Sequence, residues 1–226
     1  MTESPFAVTT VFTVGPVPIT GPVVVTWAIM TVLVLAGLLS TRRLSLAKPS
    51  RVQAVAELIV EATMTQIRDI MHVAAAPFLP LIGTLFLFIL TANWSSLVPG
   101  IDPPTAHIET DAALAAIVFC ATIWFGIRRR GVGGYLGTFA QPSVFMIPLN
   151  LIGTLTRTFS LMVRLFGNVM AGVFIIGIVL SLAGLFVPIP LMALDLLVGA
   201  IQAYIFAILA AVFIGGAASE GSSSAT

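Results

Sequence analysis

The sequence predicts an all-α polytopic membrane protein. It should have five membrane-embedded helical segments, an amphipathic interfacial helix, and a long tilted helical hairpin formed by the last two segments. Three observations carry that fold class. Of 226 residues, 58% are hydrophobic and 8% charged, against about 25% charged in soluble domains, and the mean hydropathy is +1.11. The ten Lys and Arg and nine Asp and Glu cluster, leaving neutral runs of the roughly 20 residues that a helical span needs. The single cysteine, Cys120, lies inside an apolar run, which excludes a disulfide-stapled secreted module. A net charge of +1 leaves no electrostatic footprint for nucleic acid.

The elements follow from the charge map, and together they make residues 1–226 a single membrane domain. Residues 1–20 form an external N-terminal segment. With Glu3 and no Lys or Arg it reverses the pattern of a signal peptide. Residues 21–41, stopped by Arg42-Arg43, therefore read as a retained first span. Residues 50–71 read as an interfacial helix. Val52, Val55, Ala56, Ile59, Val60, Ile67, Ile70 and Met71 fall broadly on one side, and Arg51, Gln53, Glu57, Glu61 and Arg68 on the other. The second span covers 78–99 and the third 112–127. The fourth covers 143–182, nearly twice a perpendicular span, so it must tilt or bend. The fifth covers 191–216, and 217–226 is a tail. Pro99-Gly100, Pro103-Pro104, Gly131 to Gly134, Pro188 and Pro190 punctuate the joints.

Basic residues set the expected orientation. Arg42 to Arg51 and Arg128 to Arg130 follow odd-numbered spans, whereas 100–111 and 183–190 contain no Lys or Arg. This predicts an external N-terminus and a cytoplasmic C-terminus.

From Gly131 to Ser219 there are three charges, Arg157, Arg164 and Asp195. An ionisable group at mid-membrane costs at least about 2.5–3.5 kcal/mol on insertion scales, so each needs a reason. Arg157, Arg164 and Asn168 share one helical stripe, with Ser160, Ala171 and Gly172 close to it. Asp195, Gly199 and Gln202 form another on the last span. An antiparallel hairpin would turn the two stripes toward a shared polar seam. Asp195 then either pairs with one arginine and ties the hairpin together, or the surplus cation awaits a carboxylate from a second protein.

The block Ser160-Leu161-x-x-Arg164-Leu165-Phe166-Gly167-Asn168-x-x-Ala171-Gly172 closely resembles the signature of the subunit a family of F-type ATP synthases. So does Gln202-Ala203-Tyr204-Ile205-Phe206, and the likeness extends to Asn93, Leu97-Val98-Pro99-Gly100 and Pro104-Thr105-Ala106. The resemblance implies a membrane stator beside a rotating ring of c subunits, with two offset half-channels leading to the ring carboxylates. It gives Arg164 the role of the stator arginine, with Asn168 and Gln202 as flanking polar groups and Asp195 on the entry path. It also implies subunit b of the peripheral stalk and the F1 sector as partners, ATP chemistry on other subunits, and a bacterial inner membrane. No cofactor or metal is implied. Two departures stand out. Val173 occupies a position where many members have Glu or His, and Arg157 is an additional cation, similar to a divergent branch, the N-type rotary ATPases.

The remaining polar residues divide between alternatives. Asp102, His107, Glu109 and Asp111 form a solvated acidic loop, the favoured reading, or line the mouth of the external half-channel, or ligate a metal. His72 reads as a boundary residue, and Asn93 with Trp94 as interface anchoring. Arg128 to Arg130 mark topology. Residues 131–137 lack a phosphate-loop pattern, so no nucleotide site is expected. A self-contained secondary transporter or channel is the alternative function, but it predicts paired repeats that are absent here. An intramembrane hydrolase lacks a nucleophile–base pair.

Overall fold

In lipid every backbone polar group must be satisfied within the protein, so apolar spanning segments become helices. The computed structural model describes residues 10–14, 17–41, 51–71, 76–98, 101–139, 145–184 and 186–219. The expectations placed on Arg42, Arg43, Lys48, His72, Pro99-Gly100 and the tail beyond Ser219 lie outside these residues. Among the described residues six α-helices follow one another: α1 Gly21–Thr41, α2 Arg51–Met71, α3 Leu79–Trp94, α4 Ile108–Phe139, α5 Met146–Ala183 and α6 Pro188–Ser219. Short 3-10 turns occupy Ser95–Leu97 and Pro104–Ala106. Five of the helices are long and apolar enough to cross a membrane, and α2 is the exception. The chain is an all-α multi-pass membrane protein. One antiparallel hairpin, β1 Thr10–Val14 with β2 Val17–Thr20, precedes α1 in the segment read from sequence only as an external arm.

The central helix is α6, which packs against α2, α3, α4 and α5. Its buried face is built from small residues, Ala203, Ala207, Ala210 and Ala211, which let neighbouring helices approach closely. One core joins Phe88 and Ile89 of α3, Leu114 and Val118 of α4, Leu161 and Leu165 of α5, and Phe206 of α6. A second core lies beneath α2, where Ile67 and Met71 meet Phe78, Ile82, Ala211 and Ile214. The amphipathic helix is thus anchored by its C-terminal turns, while Val55 and Val60 remain exposed. Threonine hydroxyls inside the spans return to the carbonyl four residues earlier, as Thr91 does to Leu87 at 2.7 Å and Thr122 to Val118 at 2.8 Å. These bonds satisfy them without a water.

Two joints differ from the sequence expectation. The third apolar segment, read as 112–127, begins a turn earlier and continues to Phe139. The continuation is not straight, because Gly131 has φ 71° and ψ 166°, a left-handed conformation that glycine adopts without steric cost. The chain bends there so sharply that the Tyr135 ring packs on Gly126, where a Cβ would stand 2.5 Å from Cε2. The glycines at 131–134 therefore mark a kink within α4. Asn150 then closes the joint to α5 by donating to the Phe139 carbonyl at 3.0 Å. The second difference is Pro188, which opens α6. A proline in the first turn lacks an N–H that would be unpaired anyway. Helix α5 is as long as its apolar run, and its 38 residues extend about 57 Å at 1.5 Å per residue. That exceeds the roughly 30 Å of hydrocarbon, so a helix of this length must tilt or bend to stay within a bilayer.

Candidate functional site

The site begins on α5, whose two sides differ in burial. Leu161, Leu165 and Val169 are buried against the bundle. Arg157, Ser160, Arg164, Gly167 and Ala171 are all exposed, and at 3.6 residues per turn they occupy one band about 80° wide. Small residues alternate with cations along this band, giving a flank that another helix can approach closely. Arg157 has an internal partner of an unexpected kind. Its guanidinium carbon lies over the Phe213 ring of α6, 6.0 Å from the centroid. Among the described residues, no hydrogen bond or ion pair engages Arg164.

Asp195 lies in the second turn of α6, half-buried against α5. Gly172 makes that seat possible. A Cβ there would overlap Asp195 Oδ1 and stand 3.0 Å from its Cγ. Gly172 is eight residues beyond Arg164, or about 12 Å along the helix axis. Side chains on α5 lean toward its N-terminus, so Arg164 leans away from Asp195. Of the two alternatives for Asp195, pairing with Arg164 is not the arrangement seen: the carboxylate is seated on Gly172 of α5 instead. Beside Asp195 opens a cleft of about 180 Å³, lined by Ser96, Leu97, Asp102, Val173, Ile176 and Met192, among others. It brings the 95–103 connection, α5 and the start of α6 to one end of the bundle.

The shared polar seam also needs correction, because Gly199 and Gln202 do not continue the stripe of Asp195 toward the arginines. Gly199 faces α3. Its carbonyl accepts a hydrogen bond from Asn93 Nδ2 at 2.9 Å, and Asn93 Oδ1 accepts one from Thr105 Oγ1 at 2.7 Å. A Cβ on Gly199 would lie 3.0 Å from that of Asn93, so the contact requires a small residue. Trp94 Nε1 donates to the Leu196 carbonyl at 3.2 Å. Asn93 and Trp94, read from sequence as interface anchors, instead fasten α3 and the Pro104–Ala106 turn to the α6 turn that follows Asp195. A buried asparagine near the end of a spanning helix finds its partner in another helix because lipid offers none. Gln202 is 6% exposed, and its Nε2 has no partner among the described residues. It faces the core, and Asn168 is half-buried.

The acidic loop splits in two. Asp102 and Glu109 are exposed and His107 is half-buried, as a solvated loop requires. Asp111 departs from that reading, being 0% exposed with neither carboxylate oxygen hydrogen-bonded to a described residue. It falls one turn into α4, on the stripe of Leu114, Ala115 and Val118 that packs into the bundle. Helical periodicity places it on that face once α4 is known to start at Ile108. The expected start at 112 hid it. Phe213 carried no sequence signal, and Gly172 carried only its place beside the arginine stripe.

The chemistry available is electrostatic. A fixed cation faces outward on α5, a carboxylate stands about 12 Å along the same helix hairpin, and a cleft reaches that carboxylate from one end. Among the described residues no three His, Cys, Asp or Glu side chains gather into a metal-ligand set.

Known proteins give this arrangement its context. The family model for the ATP synthase A chain matches residues 23–215. A protein named ATP synthase subunit a 2 from a Bradyrhizobium species is 56% identical over 217 residues, covering 96% of this chain and 97% of that relative. Its namesake from Acaryochloris marina is 49% identical over 85% of this chain and 82% of its own length. An ATP synthase subunit a from Albidiferax ferrireducens is 45% identical over 90% of this chain and 88% of its own. The match runs from the first spanning helix into the last, over the cation stripe and the Asp195 seat alike, and the chain belongs to the ATP synthase subunit a family.

Proposed function

We propose that this chain is the stator subunit of the membrane Fo sector. In this reading it conducts ions to and from a ring of c subunits through two offset half-channels and couples that flux to rotation and to ATP synthesis or hydrolysis. The observation that carries the reading is the open face of α5. Arg164 stands there among small residues, and no described residue pairs with it. A buried or lipid-facing cation without a partner is costly, so a carboxylate from a neighbouring subunit belongs opposite it.

The mechanism follows from the charge. A ring carboxylate beside Arg164 is favoured in its ionised form by the opposite charge. To leave that position and face lipid it must first be neutralised by an ion from one half-channel. The ring then advances by one subunit, and the next carboxylate releases its ion into the other half-channel. Arg164 separates the two paths by repelling a cation that would cross directly. Arginine suits the task better than lysine because its pKa exceeds about 12 and burial does not neutralise it. Each elementary charge crossing 100 mV releases about 2.3 kcal/mol, so several ions are needed per ATP.

Within this frame the end of the bundle carrying the 95–107 connection faces outward, since it lacks Lys and Arg. The cleft beside Asp195 is then the outer half-channel, with Asp102, His107, Glu109 and Asp111 toward its mouth. Asn168 and Gln202 flank the arginine as polar groups. Arg157 is an accessory cation, and it supports a place in the N-type branch. The chain itself is non-catalytic, works with subunit b and the F1 sector, and resides in a bacterial inner membrane. Whether protons or sodium ions pass is set by the ligands of the ring. The decisive experiment is Arg164→Ala in the assembled complex: ion-driven ATP synthesis in membrane vesicles is lost, while ATP hydrolysis by the soluble sector persists. Synthesis at the parent rate overturns the assignment.

A further inference from the structure

Helix α2 is held firmly at one end and loosely at the other. Ile67 and Met71 are buried with Phe78, Ile82, Ala211 and Ile214. Met71 lies so close to Gly215 of α6 that a Cβ there would stand 3.0 Å from the Met71 Cγ. Toward the N-terminus of the helix the contact loosens, and Val55 and Leu58 are 57% and 67% exposed. A cavity of about 340 Å³ lies between Ile59 and Ile70 of α2, Ile82 and Phe86 of α3, and Ala207 and Ala211 of α6. It shares no residue with the cleft beside Asp195.

The chemistry and size of this space select what fills it. No charged side chain lines it. The Thr63 hydroxyl already donates to the Ile59 carbonyl at 2.7 Å, and Gln66 and Tyr204 are exposed. None of the lining residues carries a buried polar atom without a partner. An enclosed water needs about two to four polar partners, so this space does not hold water in place. A helix from a neighbouring subunit is too large, since one turn about 10 Å across and 5.4 Å high occupies about 420 Å³. A single hydrocarbon chain fits. At about 30 Å³ for a group the size of a water molecule, the 340 Å³ hold about eleven such groups in a row. In a bilayer, where apolar surface has no water to escape, such a chain is retained by close packing against shaped walls. Helix α1 supplies the contrast: Val32 and Leu35 are exposed as ordinary lipid-facing side chains and do not line the cavity.

We infer that this cavity is a binding site for one acyl chain of a membrane phospholipid, which fills the space between α2 and the α3–α6 pair. The site is independent of the ion path and of the stator reading. The test uses the complete complex in vesicles of phosphatidylcholine, a small share of it carrying a photoactivatable diazirine on the acyl chain. The vesicles are then fused with an excess of unlabelled ones, cross-linked at intervals, and the labelled peptides identified by mass spectrometry. Label on α1 at Val32 and Leu35 follows the exchange of bulk lipid. Label on the cavity walls at Ile59, Ile82 and Phe86 is expected to decay at least about tenfold more slowly, because tighter packing shows in the rate of leaving. Equal decay at both places overturns the inference, and so do cavity walls that cross-link to a protein chain in place of lipid. Ala62 borders the cavity, and the ring of Ala62→Phe competes for the same space, so the slow label should be lost. Ala54→Phe, on the same helix at an exposed position that does not line the cavity, should keep it. Slow label that persists unchanged in Ala62→Phe overturns the inference. If that variant does not assemble, the comparison of cavity walls with α1 in the parent complex decides.

Discussion

At the junction of α3, the 104–106 turn and α6, the polar groups form a closed set. The amide of Asn93 receives from Thr105 and gives to the Gly199 carbonyl, and the indole of Trp94 reaches Leu196. On the open face of α5 the polar groups are more strongly charged and less well matched. Arg157 rests on an aromatic ring, and no hydrogen bond or ion pair engages Arg164 among the described residues. An unmatched polar group is expensive in the buried first region and in the spanning helix of the second alike. The difference is that the first completes its hydrogen bonding within the chain, while the second needs another subunit to do so. One builds the bundle, and the other is an interface.

The largest expected effect separates these two kinds of polarity. Arg164→Ala should abolish ion-driven synthesis and yet leave the chain's own stability within about 0.5 kcal/mol, because no hydrogen bond or ion pair to a described residue is lost at this exposed position. Asn93→Ala should do the reverse. It leaves the Thr105 hydroxyl and the Gly199 side of a buried contact unmatched, at a cost of about 1–3 kcal/mol. The fraction of chain that assembles should fall, while the complexes that do assemble still translocate. Thermal unfolding of the detergent-solubilised complex, beside vesicle synthesis rates, checks both. If Arg164→Ala destabilises as much as Asn93→Ala, the open face is part of the fold and the distinction fails.

Gly172 and Asp195 lie between the regions, and their variants sharpen the boundary. Gly172→Ala inserts a methyl group where Asp195 Oδ1 sits, so the carboxylate must rotate away from α5. Translocation should fall by about tenfold, as expected for a displaced polar group on a conduction path. Gly153→Ala, on the same helix with nothing within 4 Å of the new Cβ, is the matched control. Asp195→Asn should slow ion entry over a pH and sodium series. Equal losses from both glycine variants would mean that α5 tolerates no added methyl, whatever it faces.

The two regions were also unequally legible in the sequence. Charge clustering located the apolar segments because each charge in a span costs energy, and five helices able to cross a membrane are present. The arginines of α5 stood out for the same reason. Their outward aim did not, since periodicity gives a stripe but never says which neighbour it meets. The expected seam with Gly199 and Gln202 failed on that point. One turn of offset on α6 turns Gly199 toward Asn93 and leaves Asp195 on Gly172. Asp111 was assigned to a loop because the acidic residues before 112 looked solvated. An added turn at the start of α4 puts it in the core. The kink at Gly131 was visible as glycine, but only its positive φ shows why the helix bends there instead of ending.

The smallest expected effect concerns Arg157, which belongs partly to each region. Its guanidinium faces outward with Arg164, yet it lies over Phe213, and a cation–π contact at an exposed site contributes about 0.5–1 kcal/mol. Phe213→Leu keeps the apolar bulk on α6 and removes the ring face, so assembly and synthesis should change little. The informative quantity is the coupling between Phe213→Leu and Arg157→Gln, read from the stability of both single variants and the double variant. A coupling of about 0.5–1 kcal/mol makes Arg157 a brace between α5 and α6. No coupling, together with a loss of synthesis in Arg157→Gln alone, would move Arg157 wholly to the open face. The partner subunit would then have to present a second group about 10 Å along the axis from the one that meets Arg164, the rise of seven residues of α5.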